Sequence, residues 1–489
     1  MTGLDKDLRS IQQARRMVSE AYNAQQQWAL ADQMLVDRVC AAMAEAAYGA
    51  AERLGRMAAE ETGFGVPEHK KLKNQFASKA VWQSIQNVRT VGVIRHDEAN
   101  KIYEIAWPMG VVAALTPSTN PTSTVMNKVL ISLKARNAIV IAPHPSAVNC
   151  CVDTAWLMAR AAVEAGAPEG LIHCMSEVSL PGTDELLGHR YTAVILATGG
   201  SGMVRAAHSK GKPAYGVGPG NVPVYVDRSA DLEKAARYIV GSKAFDHSVI
   251  CATEQSVVAD RPIAQRLRQL MASEGAYFVD PQQARALRGI LFSPTGAINS
   301  DTVGKSPQYL AAMAGIKVPQ TARILVADLQ KVGRDEPLSR EKLTTVLGFY
   351  IADGWEAGCE RCIELIQFGG RGHSLIIHAT DDDIVMRFGL EKPVFRIGVN
   401  TMGTLGMIGL TTNIAPSLTL GSGGLGGSIT GDNITVHHLY NVKRLAYETS
   451  KPPLEAFLPG TIKTGSVQVP AFQDLEQIVR QTVIEILNT

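Results

Sequence analysis

A cysteine set between a polar turn and an apolar run carries the strongest chemical signal in this chain. Cys251 follows Phe245-Asp246-His247-Ser248-Val249-Ile250 and precedes Ala252-Thr253-Glu254-Gln255 and the strand-like Ser256-Val257-Val258-Ala259. A thiol at such a loop-to-strand junction can face a cleft and attack a carbonyl carbon. The reactive form is the thiolate, so the site has to lower the thiol pKa. A free cysteine that only packs in the core is the competing reading. Other segments suit the same chemistry. Thr116-Pro117-Ser118-Thr119-Asn120-Pro121 ends one strand and opens a helix. Asn120 there is either a turn residue beside proline or a side-chain amide offered to the negative oxygen that thiolate attack creates. Thr198-Gly199-Gly200-Ser201-Gly202 joins a strand to a helix start, where free backbone amides can meet phosphate. Its spacing is not the G-x-G-x-x-G fingerprint. Gly216-Val217-Gly218-Pro219-Gly220-Asn221 is either a backbone passing close to a ligand or a tight connection between domains.

These groups need a frame to position them. Helical periodicity over Asp7–Glu60 predicts two or three helices. Val91–Ile94 and Lys101–Trp107 around the polar His96–Asn100 turn predict a β-hairpin. Strands at Val111–Leu115, Ala138–Ala142, Leu171–Cys174 and Ala193–Ala197 alternate with helices at Thr122–Lys134 and Ala147–Glu164. A second series has strands at Val222–Val226, Gln255–Val258, Ile324–Ala327, Val346–Ile351, Ser374–His378 and Ile397–Val399. Its helices fall at Leu232–Ser242, Ile263–Glu274 and Trp355–Gln367. Such alternation predicts an α/β fold with parallel sheets. The glycine-rich stretch 418–431 reads as loop.

Bulk properties narrow the function. The 489 residues allow two or three domains. Lys and Arg total 48 against 46 Asp and Glu, which argues against nucleic-acid or anionic-membrane partners. No apolar run approaches the roughly 20 residues that span a bilayer. The polar start, Met1–Arg16, is not expected to be a secretory signal, and an odd count of seven cysteines suits a reducing cytoplasm. Cys359 and Cys362 have no second pair, so one helix face is expected rather than a metal site.

Taken together, these segments resemble the CoA-acylating branch of the aldehyde dehydrogenases, including the aldehyde dehydrogenase half of bifunctional aldehyde–alcohol dehydrogenases. The likeness is carried by Thr116–Thr124, Ile131–Asn137, Ala142–Ser146, Ile195–Met203, Gly211–Pro213, Gly216–Pro223, Phe245–Val257, Glu341–Leu343, Phe368–His373 and Ala415–Gly421. It implies a Rossmann-type cofactor domain over residues 1–222 and an α/β catalytic domain over 223–414. A C-terminal return over 415–489 and a β-hairpin arm near 92–107 for a homodimer or homotetramer complete the expected architecture. It also implies roles. Cys251 would be the nucleophile, with Asn120 and the Cys251 amide as the oxyanion hole. NAD or NADP would meet Thr116, Pro117, His144, Thr198, Gly199, Gly200, Ser201, Gly218 and Glu341, with Glu341 on the nicotinamide ribose. Thr344-Thr345 departs from the expected Ser-Pro there. His373, Arg371 and Arg396 would contact the aldehyde or CoA.

Hydrolytic members carry a water-activating glutamate in the segment matching Gly216–Pro223, and this chain has no carboxylate there. Without that base, a thiol outcompetes water for the thioester, which favours an acyl-CoA product. No acidic residue falls between Ala138 and Asn149, so NADP is expected to be accepted as well as NAD. Arg371, Arg396, His144, Thr344-Thr345 and Thr411-Thr412-Asn413 suggest a polar cleft for an anionic aldehyde. Sulfoacetaldehyde is therefore the expected substrate, with acetaldehyde and succinate semialdehyde as alternatives. No alcohol dehydrogenase sequence follows, so a free, single-function cytoplasmic enzyme is expected.

Overall fold

The computed structural model describes residues 5–451 and 472–487. Three helices open the chain, Lys6–Trp28, Gln33–Gly49 and Ala51–Thr62. Asp5 starts the first by accepting from the Leu8 amide at 2.9 Å, which satisfies one of the free amides of a helix start. Its buried residues Ala14, Met17, Val18, Ala21, Ala24, Gln25 and Trp28 recur every three or four positions, the stripe of a helix laid on a core. Trp28 ends that stripe fully buried, and its indole N–H donates to the Leu133 carbonyl at 3.1 Å. The next helical stretch, Pro67–Gln75, runs through a π-helical turn at Phe76–Ala80 into Val81–Ile85. Such turns disrupt the regular ladder and often sit near function. Here the turn directly follows Lys70, Lys73 and Asn74, all buried.

Fifteen strands form three sheets among the described residues. Strands β1 (Gly92–Asp97), β2 (Ile102–Pro108) and β15 (Tyr440–Ala446) make an antiparallel sheet in the order β1-β2-β15. The predicted hairpin is therefore present and carries a third strand from near the chain's end. A five-stranded parallel sheet combines β3 (Val111–Thr116), β4 (Ala138–Pro143), β5 (Ile172–Cys174), β6 (Thr192–Thr198) and β7 (Ala214–Val217) in the order β5-β4-β3-β6-β7. All six residues of β3 and of β4 are buried, as helices on both faces of a parallel sheet require. A seven-stranded parallel sheet contains β8 (Val222–Val226), β9 (Glu254–Asp260), β10 (Ala276–Val279), β11 (Ile324–Asp328), β12 (Val346–Ala352), β13 (Leu375–His378) and β14 (Ile397–Val399). Its order is β10-β11-β12-β9-β8-β13-β14.

The order of the five-stranded sheet reverses direction between β3 and β6. The crevice beyond the carboxyl ends of those strands is where parallel α/β sheets hold ligands. Lys128, fully buried in the helix Pro121–Lys134, fixes this edge by donating to the Leu115 carbonyl at 2.6 Å and the Leu196 carbonyl at 2.9 Å. Cys359 and Cys362 lie one turn apart in the helix Gly354–Phe368, both buried. Residues 418–431 are loop with one 3-10 turn, Gly424–Gly426. Residues 452–471, part of the expected C-terminal return, lie outside the described residues.

Candidate active site

Cys251 is part-exposed, while the other six cysteines are buried. It enters β9 from a backbone that few residues adopt. Asp246, His247 and Ser248 all have positive φ, at 47°, 50° and 70°. Side chains with a Cβ resist that region, and each such residue costs about 1–3 kcal/mol. The conformation is held from outside. The Asp246 amide donates to His69 Nδ1 at 2.8 Å, and the His247 ring meets the Gly304 carbonyl at 3.0 Å. The Asp246 carboxylate, fully buried, accepts from the Val66 amide at 2.7 Å, from Lys70 Nζ at 3.2 Å and from Lys73 Nζ. Desolvation pushes this carboxyl up, but Lys73 and Lys70 hold it below the usual carboxylate range. Burial in turn brings Lys73 down to about 7.

Asn120 stands at the start of the helix Pro121–Lys134 without capping it, so the turn-residue reading does not describe its side chain. Its Nδ2 donates to the Val249 carbonyl, two residues before Cys251, at 3.1 Å. Oδ1 accepts from Lys73 Nζ at 2.5 Å. Nδ2 also donates to Thr119 Oγ1 at 3.1 Å, so the Asn120 amide is bonded to the loop that leads to Cys251 and to its own preceding residue.

Gly220, His373 and Glu341 also gather at the Cys251 loop. A methyl group built on Gly220 would sit 2.2 Å from the Cys251 carbonyl oxygen and 3.0 Å from the His373 ring. The Gly220 amide donates to Glu341 Oε1 at 2.8 Å. Glu341 is held by its neighbour, because buried Lys342 donates to the carbonyls of Leu338, Arg340 and Gln255 at 2.7, 2.9 and 3.1 Å. Burial pushes Glu341 up to about 7. Burial and the Glu341 carboxylate push the Cys251 thiol up to about 12, against a lowering effect of Arg396. The free enzyme therefore keeps Cys251 as a thiol near neutrality. Burial and Arg396 lower His373 to about 3, so its ring is neutral. Ser374 Oγ accepts from Arg396 Nε at 3.3 Å and lies 3.1 Å from His373 Nδ1. His373 Nε2 is buried without a partner.

The remaining expected residues divide. Thr116 and Thr198 end β3 and β6, on the two sides of the sheet's crevice, and each has a buried Oγ1 without a partner. Pro117 follows Thr116. Gly199 and Gly200 lead into the helix Ser201–His208, with Gly200 at its N-cap. Gly218 lies in the connection from β7 to β8. Two orphaned hydroxyls at a topological switch, with helix starts behind both strands, fit a dinucleotide. His144 directly follows β4, and its Nδ1 takes the Ser146 amide at 3.2 Å.

Two carboxylates reach places where the sequence shows none. Glu61 accepts from the Asn149 and Cys150 amides at 2.8 and 2.7 Å, which brings negative charge beside the Ala138–Asn149 segment. Glu341 likewise reaches Gly216–Pro223 through Gly220.

The expected cationic cleft does not assemble. Arg371 is exposed. Arg396 is buried, with Nε on Ser374, Nη1 on the Gly431 carbonyl at 2.6 Å and Nη2 on the Gly421 carbonyl. Thr344 and Thr345 are buried, and Thr345 donates to the Lys305 carbonyl at 3.2 Å. Thr411 pairs with Thr401 at 2.7 Å, and Thr412 donates to the Gly406 carbonyl at 2.7 Å. Lys70 and Lys73 were not anticipated. A run of lysines in a polar helix reads as a solvated face, and only the fold turns two of them inward.

A thiol presented by a strained turn, an amide facing its loop and a dinucleotide-shaped crevice define a class. Residues 8–279, more than half of the chain, match the model of the aldehyde dehydrogenase family, and the chain belongs to that family. It is similar to an acetylating aldehyde dehydrogenase from Geobacillus thermoglucosidasius, whose crystal structure superposes with a TM-score of 0.91. The two are 48% identical, over 92% of this chain and 99% of that one. Sulfoacetaldehyde dehydrogenase (acylating) from Cupriavidus necator is 35% identical over 452 residues, 91% of each chain. Aldehyde-alcohol dehydrogenase 2 from Entamoeba histolytica is 41% identical over 425 residues, 84% of this chain and 49% of that protein. The chain thus spans about half the length of the curated aldehyde–alcohol dehydrogenases it matches.

Proposed function

We propose that this chain oxidises a short aldehyde to its acyl-CoA, reversibly, through a thioester on Cys251. The observation that carries this reading is that the Asn120 amide bonds to the Cys251 loop while Gly220, next to Glu341 and His373, packs against the Cys251 carbonyl. Cys251, a thiol in the free enzyme, loses its proton to solvent as its sulfur adds to the aldehyde carbon. Asn120 Nδ2 and the Cys251 amide hold the oxygen that becomes negative. NAD(P)+, when bound, would supply the hydride acceptor for the thiohemiacetal carbon. Thr116, Pro117, His144, Thr198, Gly199, Gly200, Ser201 and Gly218 would line its site. Glu341 would hold its ribose through the carboxylate oxygen that Gly220 leaves open. The acyl group then leaves Cys251 for the CoA thiol, one thioester replacing another, near the His373 ring. The sequence likeness to acylating relatives over nearly their full length supports CoA as the acceptor.

For the aldehyde, we favour a small uncharged molecule such as acetaldehyde over sulfoacetaldehyde. The nitrogens of Arg396 already bind protein oxygens, and Arg371 is exposed. The relative at 48% identity is acetylating, and the sulfoacetaldehyde enzyme is more distant at 35%. We assign residues 1–222 to a cofactor domain and 223–414 to a catalytic domain. The β1-β2-β15 sheet is read as the arm of a homodimer or homotetramer. A cytoplasmic location completes the reading, and no described helix is long and apolar enough to cross a membrane.

The test is NADH or NADPH formation from acetaldehyde, succinate semialdehyde and sulfoacetaldehyde, with and without CoA, with Cys251→Ala as control. CoA-dependent turnover that is lost in the variant is expected. Free acid formed without CoA would make Glu341 a water-activating base and replace the acylating reading with a hydrolytic one.

A further inference from the structure

An oxyanion donor works only if the correct end of its amide faces the reaction. An asparagine side chain is nearly symmetric in shape, and a half-turn about its last bond exchanges the donating NH2 for the accepting oxygen. Something has to fix that choice at Asn120. The residue in contact with its oxygen is Lys73, whose Nζ lies 2.5 Å from Oδ1. The lysine nitrogen also donates to the Asp246 carboxylate, and the N–H it turns to Asn120 selects the oxygen end of the amide. The NH2 is thereby turned toward Thr119 Oγ1 and the Val249 carbonyl, each at 3.1 Å, and it must release one of them to meet an oxyanion beside the Cys251 loop.

Lys73 is itself immobilised. It is buried in the helix Pro67–Gln75, and its Nζ also donates to the Asp246 carboxylate. Lys70, one turn earlier, binds the same carboxylate at 3.2 Å and the Thr119 carbonyl at 3.1 Å. Asn74, the next residue, donates to the Ala51 carbonyl at 3.0 Å and accepts from Thr122 Oγ1 at 2.7 Å. One rigid helix thus grips both the loop that ends in Asn120 and the left-handed turn that presents Cys251. Lys70 and Lys73 share one carboxylate, and the Asn120 oxygen is the neutral acceptor that Lys73 meets besides it. Donation to an amide oxygen polarises the group and strengthens its N–H as a donor.

We infer that Lys73 is a positioning residue for the reaction, fixing and polarising the Asn120 amide so that Nδ2 faces the developing oxyanion, with Asp246 as its anchor. This rests on the proposed role of Asn120. It adds to that role the group that orients the donor, and it links the donor to the nucleophile's turn through one carboxylate.

The test uses the full chain and four variants: Asn120→Ala, Lys73→Met, Lys70→Met and the double variant Lys73→Met/Asn120→Ala. Steady-state turnover is measured with aldehyde, CoA and NAD+. Iodoacetamide labelling of Cys251 and thermal melting are followed in parallel. Loss of one oxyanion donor costs about 100- to 1,000-fold in kcat, so Lys73→Met should cost about 10- to 100-fold, with aldehyde KM nearly unchanged. Cys251 labelling needs no oxyanion donor and should stay within about twofold of the parent rate. The double variant should be no slower than Asn120→Ala, because Lys73 acts through Asn120. Lys70→Met removes a comparable charge from Asp246 but not the contact with Asn120, and it should retain more kcat than Lys73→Met. Unchanged kcat in Lys73→Met, additive losses in the double variant, or equal losses from both lysines would overturn the inference. If Asn120→Ala keeps full kcat, the oxyanion reading fails and this inference with it. If Asn120→Ala is crippled and Lys73→Met is not, only the role of Lys73 falls. Should Lys73→Met melt below the assay temperature, Lys73→Gln replaces it. That variant keeps an N–H donor and should lie between the parent and Asn120→Ala, with the same non-additivity deciding.

Discussion

Gly220→Ala is the most economical probe of the proposed active site. Residue 220 lies on the connection from β7 to β8 and its φ is not positive, so alanine meets no backbone strain there. Space is the whole issue. The new methyl carbon would sit 2.2 Å from the Cys251 carbonyl oxygen, where ordinary contact begins near 3.4 Å. The obstacle is backbone, so no side-chain rotation relieves it. Either the Cys251 loop or the Gly220 loop must move by the difference, 1.2 Å. Loop movement also strains the 2.8 Å bond from the Gly220 amide to Glu341 and presses the His373 ring, 3.0 Å away. A misplacement of about 1 Å in a reacting group costs about 100-fold in rate. The expected result is a kcat lower by about two orders of magnitude in a protein whose far-ultraviolet circular dichroism is unchanged. The assay is NADH formation with saturating aldehyde, CoA and NAD+, with active sites counted by burst amplitude. A Gly220→Ala enzyme with parental kcat would refute the claim that this glycine, Glu341 and His373 form one wall of the Cys251 site.

Further outcomes follow from the charges. Because burial and Glu341 push Cys251 up to about 12, its alkylation by iodoacetamide in the free enzyme should rise about tenfold per pH unit from pH 7 to 10. A plateau below pH 9 would show a stabilised thiolate and contradict the geometry. Glu254 is fully buried, bonded to Ser242 and to the Gly403 amide at 2.7 Å, and burial raises it from 4.5 to about 7. The native state then binds the proton more tightly than the unfolded state, so stability from this group is full below pH 4.5 and is lost as pH rises through 7. Glu254→Gln should remove that slope, gaining up to ~3 kcal/mol relative to the parent between pH 5 and pH 8 in urea unfolding. No change in the relative stability would refute it. Glu61→Gln should lower KM for NADP+ about fivefold with little effect on NAD+, since an exposed charge is worth about 1 kcal/mol. Equal shifts for both would place Glu61 away from the adenosine ribose.

The alternation of apolar runs and helical segments made both parallel sheets legible before any coordinates. β3, β4 and β6 are continuous apolar runs, which only strands buried on both faces produce. Strand β15 was not legible. Tyr440–Ala446 alternates part-buried with exposed residues, and its partner lies more than 300 residues away. At the site, Cys251 and Asn120 stood out because thiol and amide chemistry is specific to the residue type. Glu61, Glu341 at Gly220, Lys70 and Lys73 act through space, and no local pattern announces a charge delivered from another part of the chain. The arginines erred in the opposite sense. Their type suggested an anion site, but the neighbouring carbonyls of Gly421 and Gly431 claimed Arg396 first.

The third strand of the small sheet also sets an order of events during synthesis. Arg444 meets Glu104 across 340 positions of chain, and β15 supplies one whole edge partner of β2. Contacts that distant close late, after the loop entropy between them has been met by other structure. While the ribosome is still adding residues up to Ala446, the β1–β2 hairpin waits with the edge of β2 unpaired, and open edges of this kind recruit other strands. Until β15 has been made, the open edge of β2 is a place where a strand of another chain can pair.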